Sequence, residues 1–429
     1  MRISIENYGC AANQAEAEIM AGLLTAAGHS IVDGANRAEV LIINSCVVKT
    51  PTEDKLIFRL MELTKKYPKK PIIITGCAPE AIAPRLKSFA PNASLVSTHH
   101  ITKIVQAVNA VANGRIVELI GATKEVKLGL PRIRRNPAIA VVQIANGCIG
   151  ECAYCETRLA RGELISYPKG KILDEIKNAV ADGCKEIWLT AEDTAAYGID
   201  TAGKPTLPDL LNSISKIQGD FNVRVGMTTP SSVLPILDDM VKAYNKPHIY
   251  KFLHVPVQSG SDEMLHAMNR KYTTEDFLRI VDGFRSAYRC QIWTDIIIGY
   301  PGETTAQFRQ TLDLLKKIGP DFVNVSKFGP RPGTPAAELQ QLPADVLKER
   351  SNTASRLVSE LALATNKKWV DWSGEVIITA PGKERGQWIG RNFAYKPIII
   401  NKRGQLLGKT LKAKILDATP AALIGWPIK

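Results

Sequence analysis

Six of the eight cysteines in this 429-residue chain stand just past the end of a short apolar run that reads as a β-strand. Cys10, Cys46 and Cys77 do so singly, in the contexts Asn7-Tyr8-Gly9-Cys10, Ile43-Asn44-Ser45-Cys46 and Ile74-Thr75-Gly76-Cys77. Cys148, Cys152 and Cys155 do so together, in a C-x3-C-x2-C loop after the run 139–145. Thiols at strand ends converge when the strands are parallel, because their carboxyl ends then share one edge. The pattern therefore predicts parallel α/β architecture with sulfur collected at the sheet edges.

The rest of the chain fits that expectation. Strands are predicted at 2–8, 40–45, 71–76 and 94–98, with helices at 15–27, 53–67 and 101–112 between and after them. Short apolar strands alternating with amphipathic helices make a doubly wound parallel domain over 1–113. Residues 114–136 read as a basic, Pro-bounded linker, either solvated or touching phosphate. A second series follows over 137–363, with strands at 139–145, 186–190, 222–227, 250–255, 291–298 and 322–327. Helices at 171–181, 208–217, 232–244, 274–287 and 305–318 connect them, which predicts a partial (β/α)6 barrel with ligands at its carboxyl mouth. A long helix over 343–368 precedes four short β-like runs at 375–379, 388–390, 396–400 and 409–416, expected to form a small antiparallel barrel of the oligonucleotide-binding kind over 364–429.

The formal net charge is +13, and residues 364–429 hold 12 lysines and arginines against 4 acids. A compact basic module points to a polyanionic partner, a phosphate backbone above all. No apolar run reaches the roughly 20 residues of a membrane helix, and the N-terminus reads as a strand, not a targeting segment. A cytoplasmic protein that does not engage a membrane is expected.

Three thiolates on one loop can bind three corners of a four-iron cube and leave the fourth iron open. A structural zinc site normally takes four ligands, and no fourth lies nearby in sequence. Unrelated buried thiols are the other reading, while a disulfide network is out of place without a secretory signal. The same logic applies to Cys10, Cys46 and Cys77, against the alternative of three core thiols. Cys184 and Cys290 fit no such pattern and are expected to be inert.

The Cys148–Cys155 loop resembles that of the radical S-adenosylmethionine (SAM) superfamily, in which the open iron chelates SAM and its cleavage gives a 5′-deoxyadenosyl radical. Two triads, a barrel and a basic tail together resemble the methylthiotransferase family. The match is carried by the segments Gly147–Gly162, Trp188–Thr194, Arg224–Thr228, His254–Asp262, Asp295–Thr304 and Arg331–Thr334. They look like the branch that adds a methylthio group to C2 of N6-threonylcarbamoyladenosine at position 37 of tRNA. The tail resembles that family's TRAM domain. The resemblance implies two 4Fe-4S clusters, SAM, tRNA and an electron donor protein. It implies a SAM-cleaving cluster on Cys148, Cys152 and Cys155, and an auxiliary, sulfur-presenting cluster on Cys10, Cys46 and Cys77. Methylthiolation of isopentenyladenosine or of a ribosomal-protein aspartate is the neighbouring alternative. A non-catalytic iron–sulfur protein that binds RNA is the more distant one.

Around these ligands, Tyr154 is expected beside the SAM adenine, or simply packed in its loop. Glu192, Asp193 and Thr194 end a barrel strand and are expected to meet SAM amino or ribose groups. Gln258 and Ser259 suit further polar contacts. Gly299 would let backbone approach the adenine, and Asp295 is either a ligand contact or a structural carboxylate. Arg161, Arg224 and Arg331 are the candidates to pair with the threonyl carboxylate. Lys402, Arg403, Lys409, Lys412 and Lys414 are the expected tRNA contacts, with Trp388, Phe393 and Tyr395 as stacking candidates or core residues. No catalytic residue beyond the cluster ligands is assigned, and the oligomeric state is not legible.

Overall fold

Val40–Ser45 and Ile72–Gly76 are buried at every position, as the central strands of a parallel sheet with two covered faces must be. They sit in a six-stranded parallel sheet of the order Ser30–Ile31, Arg2–Tyr8, Val40–Ser45, Ile72–Gly76, Ser94–Ser97, Glu118–Leu119. The molecule is described by a computed structural model covering residues 1–48 and 50–428. Leu56, Leu60 and Leu86 cover one face of this sheet, and Ile19, Leu24, Ile104 and Val108 cover the other. The register places Tyr8 beside Ser45 and Ser45 beside Gly76, so the three cysteine turns leave adjacent strands side by side.

Residues 114–136 are fastened along their length. Glu118–Leu119 adds the edge strand. Lys127 and Glu16 form a fully buried pair at 2.7 Å, and Arg132 binds Glu175 at 2.8 Å. The Ile133 N–H donates to the Glu18 carbonyl. Lys127 and Arg132 thus meet internal carboxylates instead of phosphates, and the strap ties helix Ala11–Ala26 to helix Lys169–Ala181 of the next domain.

The barrel strands form two parallel triplets, Ile139–Gln143, Glu186–Thr190, Asn222–Val225 and Phe252–His254, Gln291–Ile298, Phe322–Lys327. Isolated bridges between Val223 and Ile249 and between Gln258 and Ile296 carry pairing beyond the two triplets. Ile187, Leu189, Val223 and Val225 face the outer helices, which leaves Trp188 and Arg224 for the lumen by strand alternation.

Helix Ala344–Lys367 starts one residue after Pro343 and leads into a closed five-stranded barrel. Two expectations change here. The barrel is mixed, since Pro397–Asn401 pairs in parallel with Leu423–Pro427, and that last strand is an addition to the four expected. Tyr395 is buried against Tyr250, Phe252 and Trp293 of the barrel, and Lys396 is buried against Asp321 at 2.6 Å. The C-terminal module is therefore docked into the barrel, not hung from it.

Candidate active site

Cys10 and Cys77 occupy the N-cap positions of helices Ala11–Ala26 and Ala78–Phe89. Unpaired N–H groups and the helix dipole favour negative charge there. The Cys46 N–H donates to the Tyr8 carbonyl at 2.8 Å, and the Cys77 N–H donates to the Ser45 carbonyl at 3.0 Å. These bonds lock the turns together. Interaction with the Cys10 sulfur first and the Cys77 sulfur next raises the Cys46 pKa. The same interaction with Cys46, with help from Arg161, pulls the exposed Cys10 thiol down to about 6. Cys77 is lowered for the same first reason. A buried amide cluster supports the site, with Asn44 Nδ2 donating to Asn7 Oδ1 at 2.9 Å and to the Asn13 carbonyl at 2.7 Å.

The second triad is held by its loop. Gly147 takes φ +80°, and a Cβ there would strike the Glu163 carbonyl. A Cβ on Gly150 would lie 3.3 Å from Cys148 Sγ and 3.6 Å from Cys152 Sγ, so both sulfurs flank one glycine-lined hollow. Burial pushes Cys148 up to about 12 and raises Cys155. The Met268 carbonyl accepts from the Ala153 N–H, and Asn269 Nδ2 donates to the Glu151 carbonyl at 2.7 Å. Among the described residues no three His, Cys, Asp or Glu side chains are already set around one metal ion. In each group the donors are thiols with N–H groups aimed at sulfur, the donor chemistry that an iron–sulfur cube uses and hard cations do not.

Arg161 joins the two groups. Helix Thr157–Arg161 follows Cys155 directly, and Arg161 Nε lies 3.2 Å from Cys77 Sγ and 3.1 Å from Glu192 Oε1. Its Nη1 reaches Glu16 and Asn146, each at 3.1 Å. Arg331 is also committed, to Glu53 at 2.7 Å and Thr50 at 3.1 Å. Neither therefore offers a vacant bidentate fork to a substrate carboxylate. Arg224 differs: its guanidinium lies over Trp188, Phe252 and Tyr395, its Nε has no partner, and it makes no ion pair among the described residues.

Several expected SAM contacts are occupied by the protein itself. Asp193 accepts from the Ala195 and Thr229 N–H groups and from the Ser232 hydroxyl. The Thr194 hydroxyl donates to the Met227 carbonyl. Ser259 is buried and bonded to Thr311 and the Ser261 N–H. These three tie the mouth together and have little left for a ligand. Glu192 faces Arg161 with Oε2 unpartnered. Asp295 meets His254 Nε2 at 2.6 Å and Asn324 Nδ2 at 2.5 Å, the structural alternative. Gln258 adopts φ +69° with its backbone bonded to Asp295 and Ile297. Gly299 holds φ +74° and abuts Leu347, where a Cβ would come within 2.8 Å of that side chain. Tyr154 packs edge-on to Tyr300 at 6.5 Å.

On the C-terminal barrel, Lys402, Arg403, Lys409 and Lys412 are exposed and Lys414 is half-buried beside Asp371. Trp388 lies in the core and donates to the Lys402 carbonyl. Trp426 was not anticipated: it is 59% exposed and registers with Lys414. Arg270 was also missed, and it donates to Cys152 Sγ at 2.9 Å. A lone arginine in Met268-Asn269-Arg270-Lys271 carries no local signal for that contact.

The partial barrel with a thiol triad at its mouth defines a radical SAM-type fold preceded by a second thiol-bearing α/β domain. The Radical SAM superfamily matches residues 142–315, and an uncharacterized protein family, UPF0004, matches residues 2–98. SAM and an iron–sulfur cluster come with the first match. Solved structures of the SAM methyltransferase TsrM from Kitasatospora setae (TM-score 0.56, 15% identity, 78% of this chain and 77% of that one) and of the cobalamin-dependent radical enzyme OxsB (TM-score 0.55, 10% identity, 84% and 55%) share the fold. A probable threonylcarbamoyladenosine tRNA methylthiotransferase of Methanothermobacter thermautotrophicus is 41% identical over 99% of both chains. The human threonylcarbamoyladenosine tRNA methylthiotransferase is 36% identical over 100% of this chain and 74% of its own length. The chain belongs to the threonylcarbamoyladenosine tRNA methylthiotransferase family. No helix among the described residues is long and apolar enough to cross a membrane.

Proposed function

We propose that this protein converts N6-threonylcarbamoyladenosine at position 37 of tRNA to its 2-methylthio derivative by radical SAM chemistry. The observation that carries this reading is the pair of thiol triads at strand ends in adjoining domains, linked by Arg161. Cys148, Cys152 and Cys155 would hold the SAM-binding cluster, and Cys10, Cys46 and Cys77 the auxiliary one. Such clusters and SAM together supply hydrogen abstraction and sulfur delivery; the protein orients them and excludes water.

The chain's own residues then divide the work. Glu192 Oε2, unpartnered at the mouth, and the Gln258 side chain suit the polar groups of SAM, with Tyr154 lining the apolar side. Arg224 is assigned the threonyl carboxylate because, of the three arginines, it alone has no ion pair among the described residues, and a guanidinium with a buried, unpartnered Nε gains most from an arriving anion. Lys402, Arg403, Lys409, Lys412 and Lys414, joined by Trp426, would grip the tRNA through phosphates and stacking. An electron donor protein completes the cycle, and a cytoplasmic setting suits the substrate. The test is mass spectrometry of nucleosides from tRNA treated with the reconstituted enzyme. A methylthio increment on threonylcarbamoyladenosine alone supports the reading. An increment only on another adenosine, or none, refutes it.

A further inference from the structure

Each triad receives one guanidinium, and the two arrive from different elements. Arg270 Nη1 donates to Cys152 Sγ at 2.9 Å, while its Nε donates to the Tyr272 hydroxyl at 2.9 Å and its plane lies over that ring. Tyr272 is itself fixed, its hydroxyl held by the Pro256 and Val257 carbonyls. Arg161 Nε donates to Cys77 Sγ at 3.2 Å. Three of the other four sulfurs meet neutral backbone donors, Gly150 N–H to Cys148, Thr157 N–H to Cys155 and Val48 N–H to Cys46, while the Cys10 thiol donates to Asn13 Oδ1. One ligand of each triad, Cys152 and Cys77, thus accepts a hydrogen bond from a full positive charge.

The surroundings of the two charges differ. Arg161 is shared with Glu16 and Glu192, so much of its field is already offset. Arg270 makes no carboxylate pair among the described residues, and its Nη1 is given to the Cys152 sulfur. Hydrogen bonds and positive charge at a cluster's sulfur ligands stabilise the reduced form and raise its potential.

We propose that Arg270 and Arg161 are positioning residues that set the electron affinity of the two clusters separately, Arg270 for the SAM-binding cluster and Arg161 for the auxiliary one. The assignment rests on the two-cluster reading above. Arg270 sits on the segment stitched to the loop by the Ala153–Met268 and Glu151–Asn269 bonds, so its charge moves with Cys152. Arg161 ends the helix that begins after Cys155, so it also fixes the auxiliary triad against the loop of its neighbour.

The experiment is a redox titration of the reconstituted full-length enzyme followed by electron paramagnetic resonance. It is repeated in backgrounds where one triad at a time is changed to alanine, so that each signal is assigned. Arg270→Gln shifts the Cys148–Cys155 cluster to lower potential and leaves the other unmoved. Arg161→Gln shifts the auxiliary cluster alone, in the same direction and by less. Unmoved potentials, an upward shift or a shift in the other cluster overturn the inference. Should Arg270→Gln lose iron, Arg270→Met, likewise uncharged, is titrated in its place; iron loss from both marks a scaffold and also overturns it. A wild-type chain with about four irons sinks the two-cluster reading, whereas about eight irons with insensitive potentials sinks only this inference, at four irons per cube.

Discussion

Arg331 illustrates how a side chain that reads as functional becomes architectural. It is 6% exposed, and its partner Glu53 also binds Arg85. Removing one member of a buried pair costs about 3–5 kcal/mol when the other charge is stranded, and here Arg85 leaves Glu53 a second partner, so the loss falls below that range. Arg331→Ala is therefore expected to lower the denaturant midpoint moderately, while Arg224→Leu leaves stability nearly unchanged and raises KM for threonylcarbamoyl tRNA. The opposite ranking in chemical denaturation would contradict these placements. Glu16 gives a pH test. Burial opposes its ionisation, but Arg161 and Lys127 prevail and hold its carboxyl at about 2. A folded pKa below the unfolded value of about 4.3 means stability that is present above that value and lost as pH falls through about 2. In the cluster-free chain, Glu16→Gln should flatten this acid limb; an unchanged limb would show that Glu16 does not carry it.

Helices and strands were legible where local chemistry decided them. Thr273 with Asp276 and Thr304 with Gln307 form capping boxes, and both helices begin where the sequence places them. Thr304→Ala should cost about 1 kcal/mol, measurable by urea unfolding, and no loss would show the cap to be idle. Strand ends in the first domain were readable because a continuous apolar run stops at a Gly- or Ser-containing turn. Leu423–Pro427 was not, since Gly425 and Pro427 read as a turn, although Gly425 packs against Ile398 and Ile400 where a Cβ would crowd both. The thiol positions were visible, but what each sulfur meets was not: Arg161 and Arg270 reach them from 84 and 118 residues away. The loop itself depends on Gly147, whose φ of +80° and closeness to the Glu163 backbone exclude a side chain. Gly147→Ala is expected to abolish release of 5′-deoxyadenosine from SAM while the auxiliary cluster persists; undiminished release would contradict this.

The whole molecule is a set of locked parts. Tyr395 enters the barrel, Lys396 binds Asp321 and the 114–136 strap joins the first two domains. Deleting 364–429 would open the barrel as well as remove the basic surface, so it cannot report on tRNA binding alone. Charge reversal of Lys402, Arg403 and Lys412 is the cleaner change. It should weaken tRNA binding and reduce the salt slope by roughly one for each phosphate that is no longer neutralised, with folding intact. The most direct measurement of the account is iron per chain after anaerobic reconstitution of three proteins: wild type, Cys46→Ala and Cys152→Ala. About eight irons in the first and about four in each variant are expected, at four per cube. About four in the wild type, with Cys46→Ala indistinguishable from it, would contradict the account.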